Sequence, residues 1–233
     1  MNEILKTIKG KGFWRILIRP QIFDKDRIQK LVDLRRIVEE SEVKLRGWYY
    51  PHYDYKNIIN GNDFIESFID YGAHKEFWRY FQSGQFIHYR TMREDYEIDI
   101  SKRKPLSVKE PSPSNKYLEI IITIYTITEI FEFASRLANK NLLAPSFEIS
   151  ITLNDILDRQ LMFYEEGRDL WSDYRCKLEN LEYKNEFASI DFINNYKELA
   201  IKATYWFFER FNWTSCSIGL LQEEQNKLYQ RRI

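Results

Sequence analysis

Glycine is scarce in this chain, with eight residues among 233. A Walker loop or a Gly-x-Gly-x-x-Gly cradle needs several glycines close together, because only backbone lacking a Cβ can approach a pyrophosphate, and no such run is present. Cysteine is scarcer still. Cys176 and Cys216 are far apart and neither has a histidine nearby in sequence. That excludes a zinc ribbon, argues against a disulfide framework, and leaves cysteine hydrolase chemistry without support. No Gly-x-Ser-x-Gly elbow is present, so a serine hydrolase has none either. An excess of one charge sign is also missing. Lys plus Arg and Asp plus Glu each number 35, which argues against a general nucleic-acid coat or a polybasic membrane binder while leaving a local basic face open. The longest apolar stretch, Tyr117 to Ala138, is broken by Glu119, Glu129, Glu132 and Arg136, so no membrane helix is expected. Met1 to Gly12 carries lysines but no apolar core of a secretory leader, and the expected location is the cytoplasm.

What the chain has in quantity is aromatic side chains: 16 Tyr, 16 Phe and 6 Trp. With 44% hydrophobic and 30% charged residues, the composition is that of a folded globular protein. Between Arg46 and Arg90 fall fourteen aromatic residues and all three histidines, His52, His74 and His88. Imidazoles and rings so concentrated suggest either a surface that holds a ligand or one unusually aromatic sheet.

Periodicity predicts a mixed α+β fold with antiparallel sheets and hairpins in two halves of similar size. Phe13 to Arg19 reads as a strand ahead of Pro20, and Lys25 to Glu40 as a helix capped by Asp24. Gly47 and Pro51 put the Arg46–His52 segment on a loop. Phe64 to Tyr71 reads as a strand with Glu66 and Asp70 on one face. Phe77 to Phe81 and Phe86 to Met92 read as a hairpin closed by a two-residue Ser83-Gly84 loop, pairing Arg79 with His88 and Phe77 with Arg90. Residues 101–115, with three prolines and four serines, read as a linker between an N-terminal unit (1–100) and a C-terminal one (116–233). Lys116 to Ala138 is expected to be helical on length despite its β-branched content. Phe147 to Leu153 alternates as a strand, with Leu157 to Tyr164 as its hairpin partner, and helices are expected over Tyr196–Phe211 and Leu220–Arg232.

Three constellations could carry chemistry. Arg46 and His52 have five residues between them, a spacing used by metal-independent ribonucleases in which His is the base and Arg steadies phosphate charge; a structural or ligand-binding loop is the alternative. Glu66 and Asp70 with His74 could ligate a divalent metal, but two carboxylates four residues apart on a strand stand ~13 Å apart, and cross-strand pairing with Arg79 or Arg90 explains them without one. Arg79, His88 and Arg90 on one hairpin face would suit a phosphate, with Trp48, Tyr49 or Tyr50 free to stack on a base; a solvated, salt-bridged sheet face is the other reading. Glu179, Glu182 and Lys184 echo a metal nuclease but lack a strand-borne aspartate, and fit a charged sheet edge.

Phe13-Trp14-Arg15 with Ile18-Arg19-Pro20, Arg46-Gly47-Trp48 with Pro51-His52, and Trp78-Arg79 with Gln82-Ser83-Gly84-Gln85-Phe86 and His88 resemble a poorly characterised bacterial family carrying FWR…IRP, RGWxxPH and QSGQFxH blocks. The resemblance covers most of the first half and, more loosely, the segment Glu129–Phe133. It implies an accessory role in a phage-defence setting, beside an ATPase or nuclease encoded nearby, and it transfers no catalytic residue. The expected function is therefore a non-catalytic recognition module. It would bind a partner protein or a phosphate-bearing ligand, nucleotide or nucleic acid, through Arg46, Trp48, Tyr50, His52, Arg79, His88 and Arg90. No metal or cofactor is expected. A nuclease using His52 or His88 with Arg46 is the alternative.

Overall fold

In the computed structural model, which describes residues 3–96, 114, 116–165, 168 and 170–232, alternation dominates the first strand. β1 (Phe13–Pro20) buries Trp14, Ile16 and Ile18 on one face and leaves Phe13, Arg15, Leu17 and Arg19 half-buried on the other. Period-two burial of this kind marks a strand with one face against a core. It lies in the middle of a seven-stranded sheet whose pairings are all antiparallel. The other members are β2 (Ile59–Asn60), β3 (Phe64–Tyr71), β4 (His74–Phe81), β5 (Phe86–Thr91), β7 (Ser146–Asn154) and β9 (Asn180–Ala188), in spatial order β2-β3-β4-β5-β1-β7-β9. A separate pair, β6 (Tyr117–Glu119) and β8 (Gln160–Met162), is parallel.

Helices α2 (Leu31–Ser41), α3 (Ile120–Asn139), α4 (Ser189–Arg210) and α5 (Ile218–Tyr229) contribute to one large core with the inner sheet face. α3 is buried on nearly every side, which explains how a segment so rich in isoleucine and threonine is helical. Tertiary burial overrides local propensity, and Glu119 caps the first turn by accepting the Ile122 N–H. On the outer face the short α1 (Glu3–Ile8) packs Ile4 and Ile8 on Phe77. The rest of that face carries ion pairs, including Arg19 and Lys184 on Glu148 and Arg79 on Glu66.

The α+β class and most elements follow the sequence expectations, and the differences have local causes. α2 starts at Leu31, not Lys25, because the Ile28 backbone is held by Gln82 at 2.9 and 2.8 Å and cannot join a helical ladder. The segment expected to return beside β7 instead supplies β8, since both edges of β7 are taken by β1 and β9. α4 begins at Ser189, seven residues before the expected start; α1 is an additional element, and the charged sheet edge expected at Glu179–Lys184 is the edge strand β9. The residues flanking 101–115 share one sheet and one core, β1 from the first half pairing with β7 from the second. Apart from Ser114, that expected linker lies outside the described residues. Among the described residues no helix is long and apolar enough to cross a membrane.

Candidate functional site: rings over a buried charge network

The β4–β5 hairpin decides which side chains meet. Phe81 N donates to Gln85 O and Gly84 N to Phe81 O, each at 2.9 Å, so the loop is three residues, Gln82-Ser83-Gly84, with Gly84 at φ +81°. That is the turn-plus-left-handed-residue loop for which glycine is favoured. It shifts the register by one from the two-residue expectation. Trp78 faces His88 and Glu76 faces Arg90, while Arg79 faces Ile87. A slip of one residue exchanges the faces of a strand. The expected Arg79/His88/Arg90 face therefore does not exist: Arg79 points outward to Glu66, at 2.9 and 2.5 Å, and His88 and Arg90 point into the core.

Inside, Glu76 gathers the group. Its carboxylate lies 3.0 Å from His88 Nε2, 2.7 Å from His74 Nε2 and 3.9 Å from Arg90 Nε, and it accepts the His52 backbone N–H at 3.3 Å. The His74 contact is an ion-pair approach off the line of an aligned hydrogen bond. Burial alone would push this carboxyl up; the charges of His74, His88 and Arg90 outweigh it and hold Glu76 well below the usual carboxylate range. An ionised carboxylate only accepts, so His88 Nε2–H donates to Glu76, and Nδ1 lies 3.2 Å from the Tyr50 hydroxyl. Burial lowers the His88 and His52 imidazoles, partly opposed by Glu76, and also lowers Arg90. It raises the Tyr50 phenol far above its ordinary value.

A second buried pair lies alongside. Arg46, from the loop after α2, makes a two-pronged pair with Glu129 of α3, Nε to Oε1 at 3.0 Å and the second guanidinium nitrogen to Oε2. Thr126 Oγ1 accepts from both Arg46 and Arg90, at 3.5 and 3.3 Å, and joins the two pairs. The loop itself is fixed by reciprocal Val43–Tyr50 backbone bonds of 2.8 Å and by Trp78 Nε1 donating to His52 O at 2.9 Å. Gly47 turns at φ +85° with open space around it, so the left-handed backbone is what calls for glycine there.

Only the rim of this network reaches solvent. Trp48, 36% exposed, and Tyr71, 59% exposed, flank the half-buried His52 and His74. Ring centroids are 6.1 Å apart for Trp48–His74, 5.5 Å for His52–His74 and 5.7 Å for His52–Tyr71. His52 Nδ1 has no hydrogen-bond partner among the described residues. Comparison with known proteins finds no matching family model, curated protein or solved structure.

Of the sequence candidates, Trp48 and His52 line the accessible rim; Arg46, Tyr50, His88 and Arg90 lie beneath it, buried; Arg79 is on the opposite face. Glu66 pairs with Arg79 and Asp70 with Lys75, the cross-strand and local pairings that need no metal. Among the described residues no three ligating side chains are set to hold a metal ion. Lys184 and Glu182 bind Glu148 and Ser150 across the β7–β9 edge, and both cysteines are buried thiols. Sequence reasoning missed the importance of Glu76 and Glu129. Each is a lone carboxylate on an otherwise apolar face, and a buried charge of that kind requires a partner, which was the available signal.

Proposed function

We propose that this protein is a non-catalytic recognition module of the cytoplasm. On this reading the Trp48–His52–Tyr71–His74 rim takes the base of a phosphate-bearing ligand, a nucleotide or a single strand of nucleic acid. The observation carrying it is the ring cluster at the rim, in which the exposed Trp48 and Tyr71 flank the half-buried imidazoles of His52 and His74. Aromatic faces stack on any base, and imidazole N–H groups suit phosphate or base edges. The charges below support this role by fixing the loop: Glu76 and Glu129 each tie residues of the 46–52 segment to the sheet or to α3. His88 and Arg46 are sealed from solvent, so a nuclease built on them would lack access to substrate. Through the resemblance of its sequence blocks, the proposal extends to presenting the ligand to a neighbour-encoded effector, an ATPase or nuclease, in phage defence.

Titrating the chain with AMP and with a short oligouridylate, read by tryptophan fluorescence and calorimetry, tests this. Binding should weaken by roughly tenfold in Trp48→Ala, the scale of one lost base stack. His74→Ala should weaken it as well, while Arg79→Ala leaves it unchanged. No binding of either probe, or RNA cleavage that stops in His52→Ala, overturns the reading.

A further inference from the structure

Away from the ring cluster, between the first turns of α3 and the side of α5, is a cavity of about 460 Å³ lined in part by Glu119, Ile122, Tyr125, Tyr164, Glu224 and Lys227. That volume lies within the ~300–1,000 Å³ of small-molecule sites, and an apolar wall of Ile121, Ile122, Tyr125 and Tyr164 faces ionisable side chains of both signs. The cavity contains two deeply buried carboxylates with different surroundings. Glu224 is fully occupied: Arg168 approaches at 2.8 Å, Lys227 at 2.9 Å, and it accepts Tyr125 OH at 3.4 Å.

Glu119 is as deeply buried, but it accepts only backbone N–H groups, from Ile122 and, at 3.4 Å, from Tyr164. Among the described residues no lysine or arginine pairs with it. Its charged neighbour is a second carboxylate, Glu94, which accepts the Glu119 backbone N–H at 2.8 Å. Burial, with Glu94 adding to it, pushes the Glu119 carboxyl up to about 7. Among the described residues Glu119 thus lacks the cation that Glu224 has, while it lines a cavity walled by Ile121, Ile122 and two tyrosine rings.

We propose that this cavity binds a small amphiphilic monoamine, its ammonium paired with Glu119 and its apolar body against Ile121, Ile122, Tyr125 and Tyr164. Desolvated ammonium also gains from the faces of tyrosine rings. The opposite wall selects for one positive charge only. Lys227, Arg168 and Arg232 line it, and a second ammonium would meet them. The groups bearing on Glu119 as pH changes are Glu94, Tyr125, Tyr164, Glu224, Arg168 and Lys227, and of these the arginine and lysine stay charged at neutral pH.

Calorimetry or saturation-transfer NMR on the full chain with hexylamine, hexanoate and 1,6-diaminohexane tests the proposal. Hexylamine binds, hexanoate does not, and the diamine binds roughly tenfold more weakly, as expected for one like-charge clash. Hexylamine affinity falls about tenfold from pH 8 to pH 6, as Glu119 takes up a proton. Glu119→Gln keeps an oxygen to cap α3 yet loses hexylamine roughly tenfold or more. Ile122→Trp fills the cavity and also abolishes binding, without touching the carboxylate. Thermal melts of both variants separate lost binding from lost folding. Hexanoate binding as well as hexylamine, or hexylamine binding unchanged in both variants, overturns it.

Discussion

On the helix-covered face of the sheet, the strands on either side of β1 both bury rings, Trp78, Tyr80 and Phe86 among those of β4 and β5, but the β4–β5 side adds a network of charges. Toward β9, Phe147 and Phe187 meet Phe192 of α4 at centroid distances of 4.9 Å, and Phe131 of α3 stacks on Phe192 at 5.5 Å. Toward β4 the same layer holds Glu76, His88 and Arg90, and α3 contributes Glu129 and Thr126. The first half is held by area and close packing, which are non-directional. The second is held by partners that must each sit at one place, because an unpaired charge there is costly. The contrast teaches where this protein fixes geometry: the polar half carries the exposed rings, and its hydrogen bonds determine how those rings stand.

The largest effect should come from orphaning a buried charge. Glu129→Leu leaves the Arg46 guanidinium unpaired and should cost ~3–5 kcal/mol in urea unfolding, whereas Arg46→Met with Glu129→Leu recovers most of it. If the double variant is no better than the single, the pair is not an independent unit and the comparison breaks.

Acid should separate the halves next. His52 and His88 are lowered in the folded state, so below the ordinary imidazole range the unfolded chain binds more protons. Stability is full above about pH 6.5, the unperturbed imidazole value, and declines as the pH falls below it. Glu76, held low, adds a loss of the same sign at lower pH. Melting temperature measured from pH 7.5 to 5 should fall, and less steeply in a His52→Gln, His88→Gln variant. An unchanged slope in that variant would place the titrating groups outside the network.

In the apolar half, Ile149→Val removes one methylene from a fully buried site and should cost ~0.5–1.5 kcal/mol with no change in the acid response. Smallest of all is the outward pair. Arg79→Ala, a third exposed and bound to Glu66, should cost at most about 1 kcal/mol, less at high salt. A larger loss there would mean the outer face matters more to stability than solvent screening allows.

Legibility followed the same division. β1, β3, β7 and α3 could be read because period-two alternation and an unbroken apolar length are properties of contiguous residues. The aromatic and imidazole concentration between Arg46 and Arg90 could also be read; of its side chains His74, His88 and Arg90 surround Glu76, with His88 and Arg90 buried. The face of Arg79 could not. It depends on whether the 82–84 loop has two or three residues, a difference of one position that exchanges every side chain between core and solvent. Nor could the sequence show that Arg46, read as a free cation, is matched by a carboxylate 83 residues away.

By itself, the amino-acid order determined the α+β class, the strands and helices with clear period, and the stretch from which the rings and imidazoles come, because these rest on local spacing and composition. The tertiary structure alone decided which charges are sheltered and which side chains reach solvent. Burial and pairing are relations between distant segments, set only when β4, β5, α3 and the loop after α2 are brought together.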